Sequence, residues 1–196
     1  MTGHGLKSVT FFNTGRFPYG HIDLDGNTLL TGTNGAGKTT TNQSILFFYG
    51  NSRRERLGIS KSDGKLSWAK YMYPNTNSYV FYRYTGLHGD ILLMTYPYSV
   101  GTAWRFIEID QDRIEINLAA IILENNIPRV PQEVVNAFIV AGFRPTTQII
   151  DRQIYRRILY GDIDYRKEKE LAQFRQYALM EAPKDFQYIP EMQSSI

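Results

Sequence analysis

The chain has 196 residues, 42% of them hydrophobic, with no cysteine and a formal net charge of +3. Without cysteine, disulfides and thiolate metal sites are excluded and a cytosolic protein is favoured. No apolar run reaches the roughly 18 residues of a membrane span, and the N-terminus lacks the pattern of a secretory signal. The size suits one domain with its own core, while the weak charge does not by itself indicate nucleic acid.

Short strand-like segments occupy the first thirty residues. Alternation and strand-forming residues predict strands at 7–13, 21–24 and 28–31. Glycine, proline and asparagine predict turns at 14–15, 17–20 and 25–27, and the last of these is typical of a hairpin. The third strand is expected to be buried and to lead directly into residue 32.

Residues 32–39 read Gly-Thr-Asn-Gly-Ala-Gly-Lys-Thr and fit the phosphate-loop pattern G-x-x-x-x-G-K-[ST] without a mismatch. A helix is predicted from Thr40 to Phe48, so the loop would end at a helix N-terminus, where N–H groups and the dipole attract phosphate. Lys38 would reach the β- and γ-phosphates, and the Thr39 hydroxyl would ligate Mg²⁺. The remaining phosphate contacts are expected from Gly35, Ala36, Gly37 and Thr40.

The segment 50–70 is rich in basic residues and is interrupted by two glycines. It contains Arg53, Arg54 and Arg56, and a solvated surface loop is as good an interpretation of the pattern as a functional one. Beyond it, strands are predicted at 77–84, 90–96 and 103–109 as an antiparallel meander, with a further short strand at 113–117. Helices are predicted at 131–141, 153–159 and 165–181, and a strand at 146–150.

The loop sequence Asn34-Gly35-Ala36-Gly37-Lys38-Thr39-Thr40 resembles that of ABC-type ATPases, and its place near the N-terminus resembles the heads of SMC (structural maintenance of chromosomes) proteins. Residues 17–37 are similar to the opening of the MukB, MksB and Wadjet JetC heads, and 71–79 to a Tyr/Pro/Ser-Tyr stretch of that branch. The resemblance implies an α/β fold of the P-loop NTPase class. The whole chain, 1–196, would be one N-terminal head lobe, with the meander at about 77–117 and helices at about 131–182.

The resemblance also implies site residues and cofactors. The lobe would bind ATP and Mg²⁺, with Asn34 orienting the attacking water. Segment 149–159 lies where these heads carry the Q-loop, whose glutamine ligates Mg²⁺. Gln153 is the preferred candidate, although Arg152 occupies the usual place and Gln148 competes. Arg53, Arg54 and Arg56 would form an arginine loop that contacts nucleotide phosphate and DNA, for which a planar, permanently charged guanidinium is suited.

Two motifs of a complete head are missing from the sequence. No Leu-Ser-Gly-Gly signature is present, and Leu118–Glu124 ends in an acid but lacks an Asp-Glu pair, so it is interpreted as core. The resemblance therefore implies that a C-terminal head lobe, following a coiled coil, supplies the catalytic glutamate, and that the isolated chain hydrolyses ATP negligibly. The implied partners are a second head in a homodimer, DNA and kleisin-like subunits, in a cytoplasmic, nucleoid-associated protein for chromosome organisation or plasmid defence.

Other P-loop functions have less support in the sequence. A GTPase would show Asn-Lys-x-Asp, and a small-molecule kinase would show an acidic Mg²⁺-binding strand; neither is present. An ATP-sensing ABC-type regulatory module of a phage-defence nuclease system remains open as the alternative. The three histidines, His4, His21 and His88, lack metal-ligand spacing and are expected to have no special role.

Overall fold

The fold is described from a computed structural model of the protein. The described residues are 5–15, 17–26, 28–33, 37–49, 68–86, 89–99, 101–109 and 116–150, together with 152, 155, 156 and 159. All of them lie within the compact unit Met1–Asp162.

Five antiparallel strands form the central sheet, in the order β2-β1-β3-β4-β5. Their bounds are β1 Gly5–Thr14, β2 Phe17–Asp23, β3 Tyr79–Gly86, β4 Gly89–Tyr98 and β5 Gly101–Glu108. The predicted first strand and the predicted three-stranded meander are confirmed by β1 and by β3 to β5. The meander strands are rich in aromatic, β-branched and other apolar residues on both sides, which suits a sheet that is packed on both faces.

Two sequence predictions before the phosphate loop are wrong. Residues 17–20 belong to strand β2 instead of a turn, because Phe17, Tyr19 and Gly20 pair with β1, and Pro18 is tolerated at the sheet edge. Residues 28–31 form no strand, and Leu29 is 84% exposed. A strand requires a hydrogen-bonded neighbour, and no described residue pairs with this segment.

In the part of the chain that the structure describes, four helices accompany the sheet: α1 Lys38–Phe48, α2 Trp68–Met72, α3 Leu118–Ile122 and α4 Pro131–Val140. The predicted helices after the phosphate loop and after residue 130 are confirmed. Helix α4 begins with Pro131, and Gly142, which follows its end, has a φ of 87° that favours glycine. The helical, core-facing interpretation of Leu118–Glu124 holds for α3, whose Ile122 is fully buried, and a small hairpin of β6 Leu123–Glu124 and β7 Ile127–Pro128 follows.

Both faces of the sheet are covered. On one face, Phe47 and Phe48 of α1 pack with Val9, Tyr82 and Leu93. On the other face, Val134 and Phe138 of α4 and Ile122 of α3 pack with a separate set of sheet residues, Phe12, Phe81, Leu92, Met94 and Ile107. The sheet is therefore the middle of three layers.

The segment 145–149 runs along the outer edge of β5. The backbone N–H and C=O groups of Trp104 and Ile149 exchange hydrogen bonds of 2.9 Å, and Thr146 N–H donates to Phe106 C=O at 2.9 Å. The strand predicted at 146–150 is thus present only as isolated antiparallel bridges. In the part of the chain described, no helix has both the length and the apolar character needed to cross a membrane.

A buried hydrogen bond fixes α1 to the sheet. The hydroxyl groups of Ser44 and Tyr82 lie 2.8 Å apart, the Tyr82 hydroxyl also donates to the Ser44 carbonyl at 3.1 Å, and both residues are fully buried. Burial raises the pKa of Tyr82 well above its usual value, so the phenol remains a neutral donor. This contact sets the position of α1 along β3.

Replacing Tyr82 with phenylalanine is expected to lower the free energy of unfolding by about 1–3 kcal/mol, because Ser44 would keep buried polar atoms without a partner. Tyr98→Phe is the matched control, since Tyr98 is 45% exposed and its hydroxyl is accessible to water. The measurement is urea unfolding of both variants. Equal stability of the two variants would contradict the role assigned to Tyr82.

Candidate phosphate-binding site

The N-terminus of α1 has no capping side chain among the described residues, and its first turn contains no acidic residue. Within the part of the chain that the structure describes, its first backbone N–H groups therefore lack the side-chain acceptors that often satisfy helix termini. Such a terminus binds anions through those N–H groups and through the helix dipole.

Lys38 is folded back onto the loop that precedes it. Its Nζ atom donates to the carbonyl oxygen of Gly32 at 2.5 Å and to that of Thr33 at 3.0 Å. The ammonium group is thus held by two exposed, neutral carbonyl acceptors at the start of the loop. Phosphate oxygens, being charged, would be stronger acceptors for the same group.

Gly37 allows the chain to enter α1. It adopts a left-handed conformation with a φ of 91°, and its carbonyl accepts the N–H of Thr41 at 2.9 Å. A Cβ atom at this position would come within 2.2 Å of Cζ of Phe17. The ring of Phe17 itself stacks on Phe11, with centroids 5.0 Å apart. The requirement for glycine therefore has two causes, the backbone conformation and the aromatic ring beside it.

A second hydrogen bond ties the first turn of α1 to α2. The hydroxyl groups of Thr40 and Tyr71 lie 2.9 Å apart, and Thr40 is only 7% exposed. Next to this pair, the N–H of Gly15 donates to the carbonyl of Met72 at 2.9 Å. The β1–β2 turn, α2 and the start of α1 are thereby held together at one place.

The structure brings together part of the predicted site. Gly37, Lys38, Thr39 and Thr40 lie at the start of α1; the Thr39 side chain is exposed, whereas the Thr40 hydroxyl is engaged by Tyr71. Gln148 is half-buried beside the bridge that Ile149 forms with β5. The other predicted residues lie outside the described residues and stay predictions: Asn34, Gly35, Ala36, Arg53, Arg54, Arg56 and Gln153.

Two residues of this site were not predicted. Phe17 supports Gly37 and Tyr71 holds Thr40, yet each lies in a segment separate from the loop. In the sequence, Phe17 belongs to a predicted turn and to the stretch 17–37, and Tyr71 to the stretch 71–79, both noted for family resemblance and not for a contact with the loop. Spacing gives no signal for such contacts, because each depends on how β2 and α2 pack against α1.

Comparison with known families gives one match. The model of a family described as "Protein of unknown function (DUF3584)" matches residues 12–194, which is most of the chain. The match includes the phosphate loop and all four helices. Among curated proteins, no sequence is significantly similar to this chain.

Gly37→Ala is expected to destabilise the protein more than Gly26→Ala. Both positions have a positive φ, 91° and 111°, so both alanines bear the cost of that conformation, about 1–2 kcal/mol. Only Gly37 also faces the Phe17 ring, whereas nothing lies within 4 Å of a Cβ at Gly26. Chemical unfolding of both variants measures the difference. Equal losses of stability would show that the ring does not restrict position 37.

Proposed function

This chain belongs to the DUF3584 family of proteins of unknown function, and we propose that it is the ATP-binding part of an SMC-like, DNA-associated ATPase head. The observation that carries the proposal is a complete phosphate-loop sequence that leads into the N-terminus of α1, where no described side chain caps the helix. Lys38, in the same loop, donates to the carbonyl oxygens of Gly32 and Thr33. The family description names no activity, so the SMC-like assignment depends on the resemblance of the loop and of residues 17–37.

The residues present suit a triphosphate bound with Mg²⁺. The first N–H groups of α1 would hold phosphate oxygens, and Lys38 would exchange its two carbonyl contacts for charged ones. The exposed Thr39 hydroxyl is a hard oxygen ligand of the kind Mg²⁺ prefers. ATP supplies the phosphoanhydride bond, and Gln153 would add an amide oxygen to the metal.

The proposal requires a second lobe to complete the head. Phosphoryl transfer needs a metal-anchoring acid and a positioned water, and the sequence contains neither the Walker B pair nor the signature motif. The extended segment 28–31, with Leu29 84% exposed, supports this requirement, because apolar residues beside a phosphate loop are normally buried in a strand. A C-terminal lobe would provide that burial together with the catalytic glutamate.

The completed protein would act as a dimer on DNA. ATP would be bound between two heads, and its hydrolysis would separate them, which is how an SMC-like protein could load onto, move along or compact DNA. Kleisin-like subunits are further candidate partners. Arg53, Arg54 and Arg56 are the proposed contacts to the DNA backbone, since guanidinium groups bind phosphate through two parallel hydrogen bonds.

Replacing Lys38 with alanine is expected to weaken ATP binding by about 2–4 kcal/mol, or about 30- to 1,000-fold in Kd, because charge-assisted hydrogen bonds are lost. Lys7→Ala is the control, since Lys7 forms a surface ion pair with Asp25 at 2.8 Å, remote in sequence from the loop. Calorimetry with ATP and GTP on the same samples measures both affinity and base preference. Equal affinity for the two nucleotides, or unchanged binding in Lys38→Ala, would contradict the proposal.

The arginine cluster gives a separate prediction. Replacing Arg53, Arg54 and Arg56 together with alanine is expected to weaken binding to DNA of any sequence. It should also flatten the dependence of log affinity on log salt by up to about 3, because each phosphate contact contributes a slope of roughly −0.9. The measurement uses the complete head with ATP bound. Wild-type affinity and salt slope in the triple variant would show that these arginines do not contact DNA.

A further inference from the structure

A cavity of about 290 Å³ lies on the face of the sheet opposite α1. Its floor includes Thr10 and Leu92, and its roof is formed by Ile116, Leu118 and Ala119 at the start of α3. Leu92 belongs to the core cluster of α3 and α4, whereas α1 packs with the other cluster. The cavity is therefore separate from the phosphate-binding site, and nothing in the proposed ATPase function uses it.

The sheet side chains that line this cavity come from two neighbouring rows of cross-strand partners on the same face. Ser8 lies opposite Arg83, and Arg83 lies opposite Leu92, so these three follow one another across β1, β3 and β4. In the next row, Thr10 lies opposite His21 of β2. Because alternate residues of a strand share a face, the register places a cation, a hydroxyl and an imidazole over the same patch.

The cation in the cavity wall is only partly neutralised. Arg83 reaches Asp90 with a single contact, from Nη2 to Oδ2 at 3.4 Å, and its side chain is 31% exposed. The other oxygen of Asp90 already accepts the Thr85 hydroxyl at 2.6 Å. Asp23, in the same row as Ser8, accepts the N–H of Asp25. The guanidinium group, which has five N–H donors in a planar fork, therefore retains donors for another acceptor.

His21 is held in place by one of its two ring nitrogens. Its Nδ1 lies 2.8 Å from the Thr10 hydroxyl, which is 4% exposed and fixes the ring. Among the described residues, Nε2 of His21 and the hydroxyl of Ser8 have no hydrogen-bond partner. The His21 ring, held by Thr10, and the hydroxyl of Ser8 thus accompany Arg83, although His21 was not expected to have a special role.

Apart from Tyr19 and from Asn117, whose side-chain oxygen accepts the N–H of Ala120 at 3.1 Å, the rest of the lining is apolar. Leu92 and Ile109 are buried, and Ile116 and Leu118 pack against the same cluster. An apolar lining with a few polar groups is the usual composition of a small-molecule site. The volume corresponds to about ten water-sized groups, since one water occupies about 30 Å³.

We propose that this cavity binds a small carboxylate ligand with an apolar body. Arg83 binds the carboxylate, His21 lines the same face of the sheet, and the apolar part lies between the sheet and the start of α3. A single negative charge suits the site better than a phosphate dianion, because Asp90 already offsets part of the charge of Arg83. The site is independent of nucleotide binding and would remain if the ATPase assignment failed.

The probe is benzoate, and its control is neutral benzamide, which has the same shape. Each compound is titrated into the full chain while the amide resonances are followed by NMR. A ligand of about nine non-hydrogen atoms is expected to bind with a Kd of about 10 mM or below. Benzoate should bind at least tenfold more tightly than benzamide, and the shifted resonances should include Arg83 and Leu118. Equal affinities, or no shift with benzoate at 10 mM, would overturn the proposal.

Two variants identify the binding groups. Arg83→Gln should reduce the affinity for benzoate to that for benzamide. Retained binding of benzamide by this variant would show that the cavity is intact. Arg144→Gln is the control variant, at an exposed position outside the cavity lining, and it should leave both affinities unchanged. Ala119→Leu fills the cavity but leaves Arg83 in place, and it should abolish binding of both probes. Wild-type benzoate affinity in either Arg83→Gln or Ala119→Leu would place the probe elsewhere and overturn the proposal.

Discussion

The packing of α1 on the sheet, fixed by the buried pair Ser44 and Tyr82, is the constraint on which the rest of the structure depends. A helix displaced by one residue would leave both hydroxyl groups buried without partners, at a cost comparable to a large share of a domain's stability. With α1 fixed, its uncapped N-terminus has one position relative to the β1–β2 turn and to α2. The phosphate loop, Phe17 and Tyr71 meet there for that reason.

The sequence predicted those parts of the fold that local pattern determines. Strands β3 to β5 follow from their strand-forming residues and the turns between them, and helices α1 and α4 from helical patterns and terminal signals such as Pro131 and Gly142. Predictions failed where the conformation of a segment depends on whether a neighbouring strand pairs with it. Residues 17–20 look like a turn but pair with β1, and residues 28–31 look like a strand but have no neighbour among the described residues.

The candidate phosphate-binding site likewise has one part that the sequence predicts and one part that it does not. A phosphate loop is contiguous because one chain of phosphates needs successive N–H groups, so its motif is visible in the sequence. The supporting residues are not contiguous: Tyr71 lies 31 positions from Thr40, and Phe17 belongs to a different strand. The cavity around Arg83 is harder still to foresee, since its lining comes from four strands and a helix.

The two edges of the sheet limit how this protein can associate with other chains. At one edge, Pro18 removes an N–H donor from β2; at the other, Thr146 and Ile149 occupy the outer backbone groups of β5. Open edges are where foreign strands add and where aggregates grow. Pro18 and the backbone bridges of residues 146 and 149 therefore make these parts of the two edges poor templates for a further strand.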